Sequence, residues 1–135
     1  FLLLVGNIAP EYENFLLEKL NDSLIPYRIQ PHCDTYELVN MFCASDIAVY
    51  PVQATISTIE ASACSLPVIC TSEIPERYKS GNGFGIEPGN LEQLSSALEK
   101  LINNDFLRKE MGMKGRLYVE QHLSWKIISD KFLRF

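Results

Sequence analysis

Residues 46–71 read Asp-Ile-Ala-Val-Tyr-Pro, Val-Gln-Ala-Thr-Ile-Ser-Thr, Ile-Glu-Ala-Ser-Ala-Cys-Ser-Leu and Pro-Val-Ile-Cys-Thr, a run that leaves few folds open. Residues 47–50 are apolar without polar alternation, as in a strand covered on both faces of a parallel sheet. Pro51 ends that strand. Gln53, Thr55, Ser57 and Thr58 can all hydrogen-bond through their side chains. Ser57-Thr58-Ile59-Glu60 has capping-box spacing and predicts a helix start. Free backbone N–H groups and the positive end of a helix dipole at the carboxyl edge of a sheet favour an anion, phosphate above all. Pro67 stops the helix, Val68-Ile69-Cys70 supplies the next buried strand, and a right-handed crossover sets the two strands parallel.

The same alternation runs through the rest of the chain. Residues 1–5 read as a strand ending at Gly6, and 10–24 as a helix with Tyr12, Phe15, Leu16, Leu20 and Leu24 on one face. A strand at 27–30 is closed by Pro31. Asp34-Thr35-Tyr36-Glu37 is a second capping-box spacing, and Leu38, Val39 and Phe42 would form the buried face of its helix, which ends near Ser45. Gly81, Gly83 and Gly85 surround a short strand reaching Glu87. Asn90, with Gln93 three residues on, caps a helix whose buried positions are Leu91, Leu94, Leu98, Leu101 and Ile102. Two further helices follow at about 106–122 and 124–135. Five strands separated by helices define an α/β fold, a Rossmann-like doubly wound parallel sheet with two extra C-terminal helices.

A length of 135 residues suits a single domain. The longest apolar runs, residues 1–5 and 66–70, are strand-length and far short of a membrane span. A net charge of −5 argues against a nucleic-acid backbone or an acidic membrane surface as the main partner. Cys33, Cys43, Cys64 and Cys70 show no C-x-x-C pair and no nearby His ligand spacing, and read as small buried hydrophobes of a reducing compartment ahead of a zinc site or a disulfide framework. The chain opens on Phe1 without an initiator Met or a basic segment before an apolar one, which reads as an excised piece rather than a signal peptide.

The central stretch resembles the signature of the donor-binding domain of GT-B fold, retaining, nucleotide-sugar-dependent glycosyltransferases of the group 1 type. That family has an apolar strand ending Pro-Ser, a short loop, then Glu-Ala-Met-Ala-x-Gly-x-Pro-Val-Ile. Pro75-Glu76 and Gly81 to Gly85 are similar to its Pro-Glu loop and Gly-rich strand, and Pro88-Gly89-Asn90 to its Pro-Gly-Asp helix start. Met111-Gly112 and Leu123-Ser124-Trp125 are similar to its late helices, so the resemblance covers essentially the whole chain.

The resemblance implies transfer of a sugar from a nucleotide-sugar donor to a glycan or glycolipid acceptor with retention, without a metal or other cofactor. Glu60 falls where the family binds the donor ribose hydroxyls. Thr55, Ile56, Ser57 and Thr58 fall at the diphosphate loop, Pro31, His32 and Cys33 at the nucleobase loop, and Gly6 at a turn facing donor and sugar. Departures accompany the matches. Val52 stands where the family commonly has a second, sugar-contacting Glu, and no catalytic residue is assigned. The strand and helix carrying a diphosphate-binding Arg and Lys, and the acceptor domain, would precede Phe1. On this reading the segment holds half of a donor site, should not turn over alone, and belongs to a cytoplasmic protein, with peripheral membrane contact left to the acceptor domain.

Each of these residues also has a plainer reading. Glu60 can serve as the third residue of a capping box, Ser57 as its N-cap. His32 fits a simple loop, the three glycines fit backbone needs, and Trp125 fits a packing anchor. Two other functions remain open: a nucleotide-sugar epimerase of the same fold, and a non-catalytic flavodoxin-like binding module. Against the latter stands Val5-Gly6-Asn7, which has neither the acidic residues of a phosphate receiver nor the Ser/Thr-rich loop of a flavin site.

Overall fold

In the computed structural model, which describes residues 1–53, 55–74 and 78–133, five short strands are set among helices, and β4 and β5 follow one another with no helix between them among the described residues, unlike the expected strict alternation. The order is β1 (Leu2–Val5), α1 (Pro10–Asp22), β2 (Tyr27–Gln30), α2 (Thr35–Cys43), β3 (Ala48–Tyr50), α3 (Ser57–Ala63), β4 (Val68–Thr71), β5 (Gly83–Ile86), α4 (Leu91–Ile102), α5 (Asp105–Tyr118) and α6 (Trp125–Phe132). A π-type turn, Val119–Leu123, lies between the last two helices. All strand pairs are parallel, so the expected α/β class holds. Pro75 and Glu76 of the expected Pro-Glu loop lie outside the described residues.

Two compact units form, Phe1–Leu38 and Val39–Phe135. In the first, β1 and β2 pair from Leu2 with Tyr27 to Val5 with Gln30. Leu20 of α1 is buried, but Tyr12 and Phe15 are exposed, so the apolar face read from sequence is only partly used. Leu24 does not continue the helix. Ser23 closes it through its hydroxyl, which donates to the Leu20 carbonyl at 2.7 Å, and Leu24 turns to a positive φ of 56° in solvent.

The second unit is built on β4. This strand pairs with β3 on one side and β5 on the other, and all four of its residues are buried. On one face Val68 joins Ala48, Ala61 and Leu66, with Phe42 and Tyr50 packed around them. On the other, Ile69 joins Ile86, Ala97 and Leu101, flanked by Ile47, Phe84, Leu94 and Leu98. Burying each of Val68 and Ile69 contributes about 1.5–3 kcal/mol, which is why this stretch tolerates no polar alternation. The apolar stripe of α4 is Leu94, Ala97, Leu98 and Leu101, spaced i, i+3, i+4, i+7. Leu91 and Ile102, expected in the core, flank that stripe and are exposed.

The helix ends show which caps the residues make. The Asn90 side chain accepts from the Gln93 N–H at 3.0 Å, and Asn104 from the Leu107 N–H at 2.9 Å. Asp34 and Glu37 form the expected capping box, each carboxylate taking the other's N–H. Arg108 reaches back to donate to the Leu101 and Ile102 carbonyls in the last turn of α4. Gly112 and Gly115 let α5 approach Ser65 and Ser62 without a side chain between. Trp125 is 82% exposed and anchors nothing among the described residues, contrary to its plainer reading. Cys43 is exposed as well, because it ends α2 just beyond the buried contact of Phe42, while Cys70 is buried as expected.

Candidate functional site

Strand β3 delivers Tyr50 to the carboxyl edge of the three-stranded sheet, and Thr55 and Ile56 form a turn that leads into α3. Inside this turn the backbone is already organised. The Thr58 and Ile59 N–H groups bond to the Thr55 and Ile56 carbonyls at 3.2 and 2.9 Å, and the Glu60 N–H shares the Ile56 carbonyl. The Thr55 and Ser57 hydroxyls meet at 2.5 Å. Three N–H groups, those of Thr55, Ile56 and Ser57, make no hydrogen bond among the described residues. Of the four residues expected at the diphosphate loop, Thr58 is the one that spends its N–H within the turn.

The capping box read at Ser57 and Glu60 does not form. Ile56 is already α-helical in its dihedrals (φ −59°, ψ −30°), so Ser57 is the first helical residue and cannot act as N-cap. Its hydroxyl is taken by Thr55 instead. Glu60 is thereby released from the structural role that competed with ligand binding. It is half-buried, and its carboxylate has no hydrogen bond or ion pair among the described residues.

Tyr50 belongs to the same neighbourhood, although sequence reasoning treated it only as strand. Its hydroxyl donates to the Ser57 carbonyl at 3.0 Å, tying the end of β3 to the start of α3. Burial pushes the Tyr50 phenol above its ordinary value, and the nearby Glu60 carboxylate acts in the same direction. Asn82 also escaped the sequence reading, hidden between Gly81 and Gly83. It is buried and donates to the Ser62 hydroxyl at 3.1 Å, which donates to the Thr58 carbonyl at 2.9 Å. Thr58 in turn donates to the Thr55 carbonyl at 2.5 Å. This chain of bonds holds the turn from below. A lone amide amid glycines and apolar strand residues was the available signal.

The remaining candidates lie in the first unit. Gly6 has a φ of 137°, and its N–H bonds to the Gln30 carbonyl at 2.9 Å, so the β1 exit stays level with β2. Just beyond, the Asn7 side-chain oxygen accepts from the His32 N–H at 3.2 Å. Gly6, Pro31 and His32 are thus gathered at one end of the β1–β2 pair, with His32 exposed and Cys33 half-buried. Within each unit the candidates cluster at the carboxyl ends of parallel strands, where ligands of open α/β sheets bind.

Comparison with known proteins places this geometry in a family. The sequence pattern described as "Glycosyl transferases group 1" matches residues 2–104. Over 142 residues the chain is 28% identical to a GDP-mannose-dependent monoacylated alpha-(1-6)-phosphatidylinositol monomannoside mannosyltransferase of Corynebacterium glutamicum, covering 96% of this chain and 37% of that protein. It is 32% identical over 143 residues to the capsular polysaccharide biosynthesis glycosyltransferase CapM of Staphylococcus aureus, covering 96% of this chain and 36% of CapM. The chain therefore spans a little over a third of the length of these relatives. Sucrose-phosphate synthase from Thermosynechococcus elongatus shares the fold, with a TM-score of 0.83 at 21% identity over 98% of this chain and 36% of that one. With three-quarters of its length matched by one pattern and its strands and helices in the same arrangement as this neighbour, the chain belongs to the glycosyl transferases group 1 family.

Proposed function

We propose that this chain supplies part of the donor site of a glycosyltransferase that uses a nucleotide-sugar and transfers the sugar with retention. Glu60 takes the donor ribose hydroxyls, and the Ile56 and Ser57 N–H groups take the diphosphate. The nucleobase and the adjoining part of the donor go to Gly6, Pro31, His32 and Cys33. One observation supports this most: the half-buried Glu60 carboxylate, freed from capping, has no partner among the described residues and stands one turn from N–H groups that have none among them either. A carboxylate at that place has lone pairs for two vicinal hydroxyls, while the N–H pair suits an anion. The names of both curated relatives, a GDP-mannose-dependent enzyme and a capsular polysaccharide glycosyltransferase, point the same way.

The chemistry such a site performs is chiefly positioning. It holds the donor so that the bond to the diphosphate is presented for transfer, and its N–H groups stabilise charge on the departing diphosphate. The acceptor, a glycan or lipid-linked sugar, would be bound outside the residues of this chain.

Calorimetric titration with UDP, GDP, ADP and FMN tests the reading. One nucleoside diphosphate should bind and FMN should not. Hydrogen bonds to a charged group contribute about 1.5–3 kcal/mol, so Glu60→Ala should weaken that nucleotide by roughly tenfold to a hundredfold. Binding of FMN alone, or of nothing, would overturn the assignment.

A further inference from the structure

Asn82 stands just before β5, at the amino ends of the strands, whereas the turn into α3 lies at their carboxyl edge. It is buried, and both ends of its position are fixed. Its backbone carbonyl accepts from the Val68 N–H at 3.0 Å, and its side-chain oxygen accepts from the Ser80 hydroxyl at 2.6 Å. The amide nitrogen faces α3 and donates to the Ser62 hydroxyl at 3.1 Å. Helix α5 lies over the pair with no side chain between, since a Cβ on Gly115 would stand 3.0 Å from the Asn82 Cβ and 3.3 Å from the Ser62 Cβ.

The bonds from Asn82 to the turn have one direction. An amide nitrogen cannot accept, so the Ser62 hydroxyl receives from Asn82 and sends its single proton to the Thr58 carbonyl at 2.9 Å. Thr58 is thereby held from below, and its hydroxyl and N–H both go to the Thr55 carbonyl, at 2.5 and 3.2 Å. In a trans peptide the C=O and N–H point opposite ways, and no described peptide bond is cis. Drawing the Thr55 carbonyl in towards Thr58 therefore turns the Ile56 N–H outward. We infer that Asn82 is a positioning residue of the donor site, aiming the Ile56 N–H at the diphosphate through Ser62 and Thr58. This rests on the assignment of the diphosphate to that turn. Buried bonds of this kind polarise one another, and removing one link loosens those beyond it.

The test is titration, followed by amide resonances, of wild type, Asn82→Ala, Ser62→Ala and the double variant. The probes are whichever of UDP, GDP and ADP the wild type binds, and the matching nucleoside, uridine, guanosine or adenosine. Both substitutions are neutral, so neither repels the diphosphate by charge. Each should weaken the nucleoside diphosphate by about threefold to tenfold, the worth of one hydrogen bond, and leave the nucleoside unchanged. The double variant should lose no more than the larger single loss, because without the Ser62 hydroxyl Asn82 has nothing to steer. Ser62→Ala carries the test by itself if Asn82→Ala does not fold. Folded variants that bind the nucleoside diphosphate as wild type does, or that lose it and the nucleoside equally, would overturn the inference and leave the donor-site reading standing. Losses that add in the double variant would overturn the route through Ser62. A wild type that binds no nucleoside diphosphate would overturn the donor-site reading and this inference with it.

Discussion

A Cβ built on Gly112 would stand 2.0 Å from the Ser65 carbonyl oxygen, a backbone atom that cannot swing aside. Gly89 presents the opposite case, with open space around it but a φ of 79°. Gly112→Ala should cost about 3 kcal/mol, at the upper end of ordinary overpacking, and Gly89→Ala about 1 kcal/mol from its left-handed backbone. Urea unfolding of both variants checks the ranking, and equal losses would contradict it. Tyr50 offers a pH-dependent counterpart. Its phenol titrates above the ordinary 10.0 in the folded chain, so the stability it gives is present below pH 10 and lost as pH rises through the raised value. Unfolding midpoints should therefore fall more steeply above pH 10 in the wild type than in Tyr50→Phe. At neutral pH that variant should lose about 1 kcal/mol with the bond to Ser57. Residues of this kind were poorly legible in the sequence. Glu60 could be picked out by type and spacing, but its release from capping depends on the dihedrals of Ile56, and the role of Asn82 depends on a hydroxyl twenty residues away.

Among the elements, those whose signals are local came through intact. Asn90 caps α4 as its spacing with Gln93 implies, and Asp34 with Glu37 opens α2. Asn90→Ala should cost about 1 kcal/mol, measurable by thermal unfolding, because one N–H of the first turn loses its acceptor. The buried run of β4 was legible for the same reason: continuous apolar residues between Pro67 and a polar loop have few alternatives. Misreadings arose where a partner elsewhere decides the outcome. Leu91, Ile102, Tyr12 and Phe15 fit a helical stripe by period, yet the helix face in use is narrower, and period alone does not say which edge stays in solvent. Trp125 likewise carries a packing side chain that finds no buried site among the described residues.

At the scale of the molecule, the two units differ in how much they bury. In Phe1–Leu38 the described residues include one buried side chain, Leu20, whereas Val39–Phe135 holds both faces of β4. Local opening follows buried apolar contact, so amides of β1 and β2 should exchange with solvent at lower free energy than those of β4. Native-state hydrogen exchange would show this as a separation between the two sets, and coincident opening energies would contradict it. The family and the α/β class were readable from the central stretch because its strand, turn and helix lie within twenty-six consecutive residues. The gathering of Gly6 with His32 was not, since Asn7 joins them across twenty-five positions. The proposed donor site depends most on Glu60 holding the donor ribose. The most direct test is to titrate wild type and Glu60→Ala with the nucleoside diphosphate that binds and with its 2′,3′-dideoxy analogue. The substitution should weaken the ribonucleotide by roughly tenfold or more and leave the dideoxy analogue unchanged. Equal weakening of both, or none, would contradict the assignment.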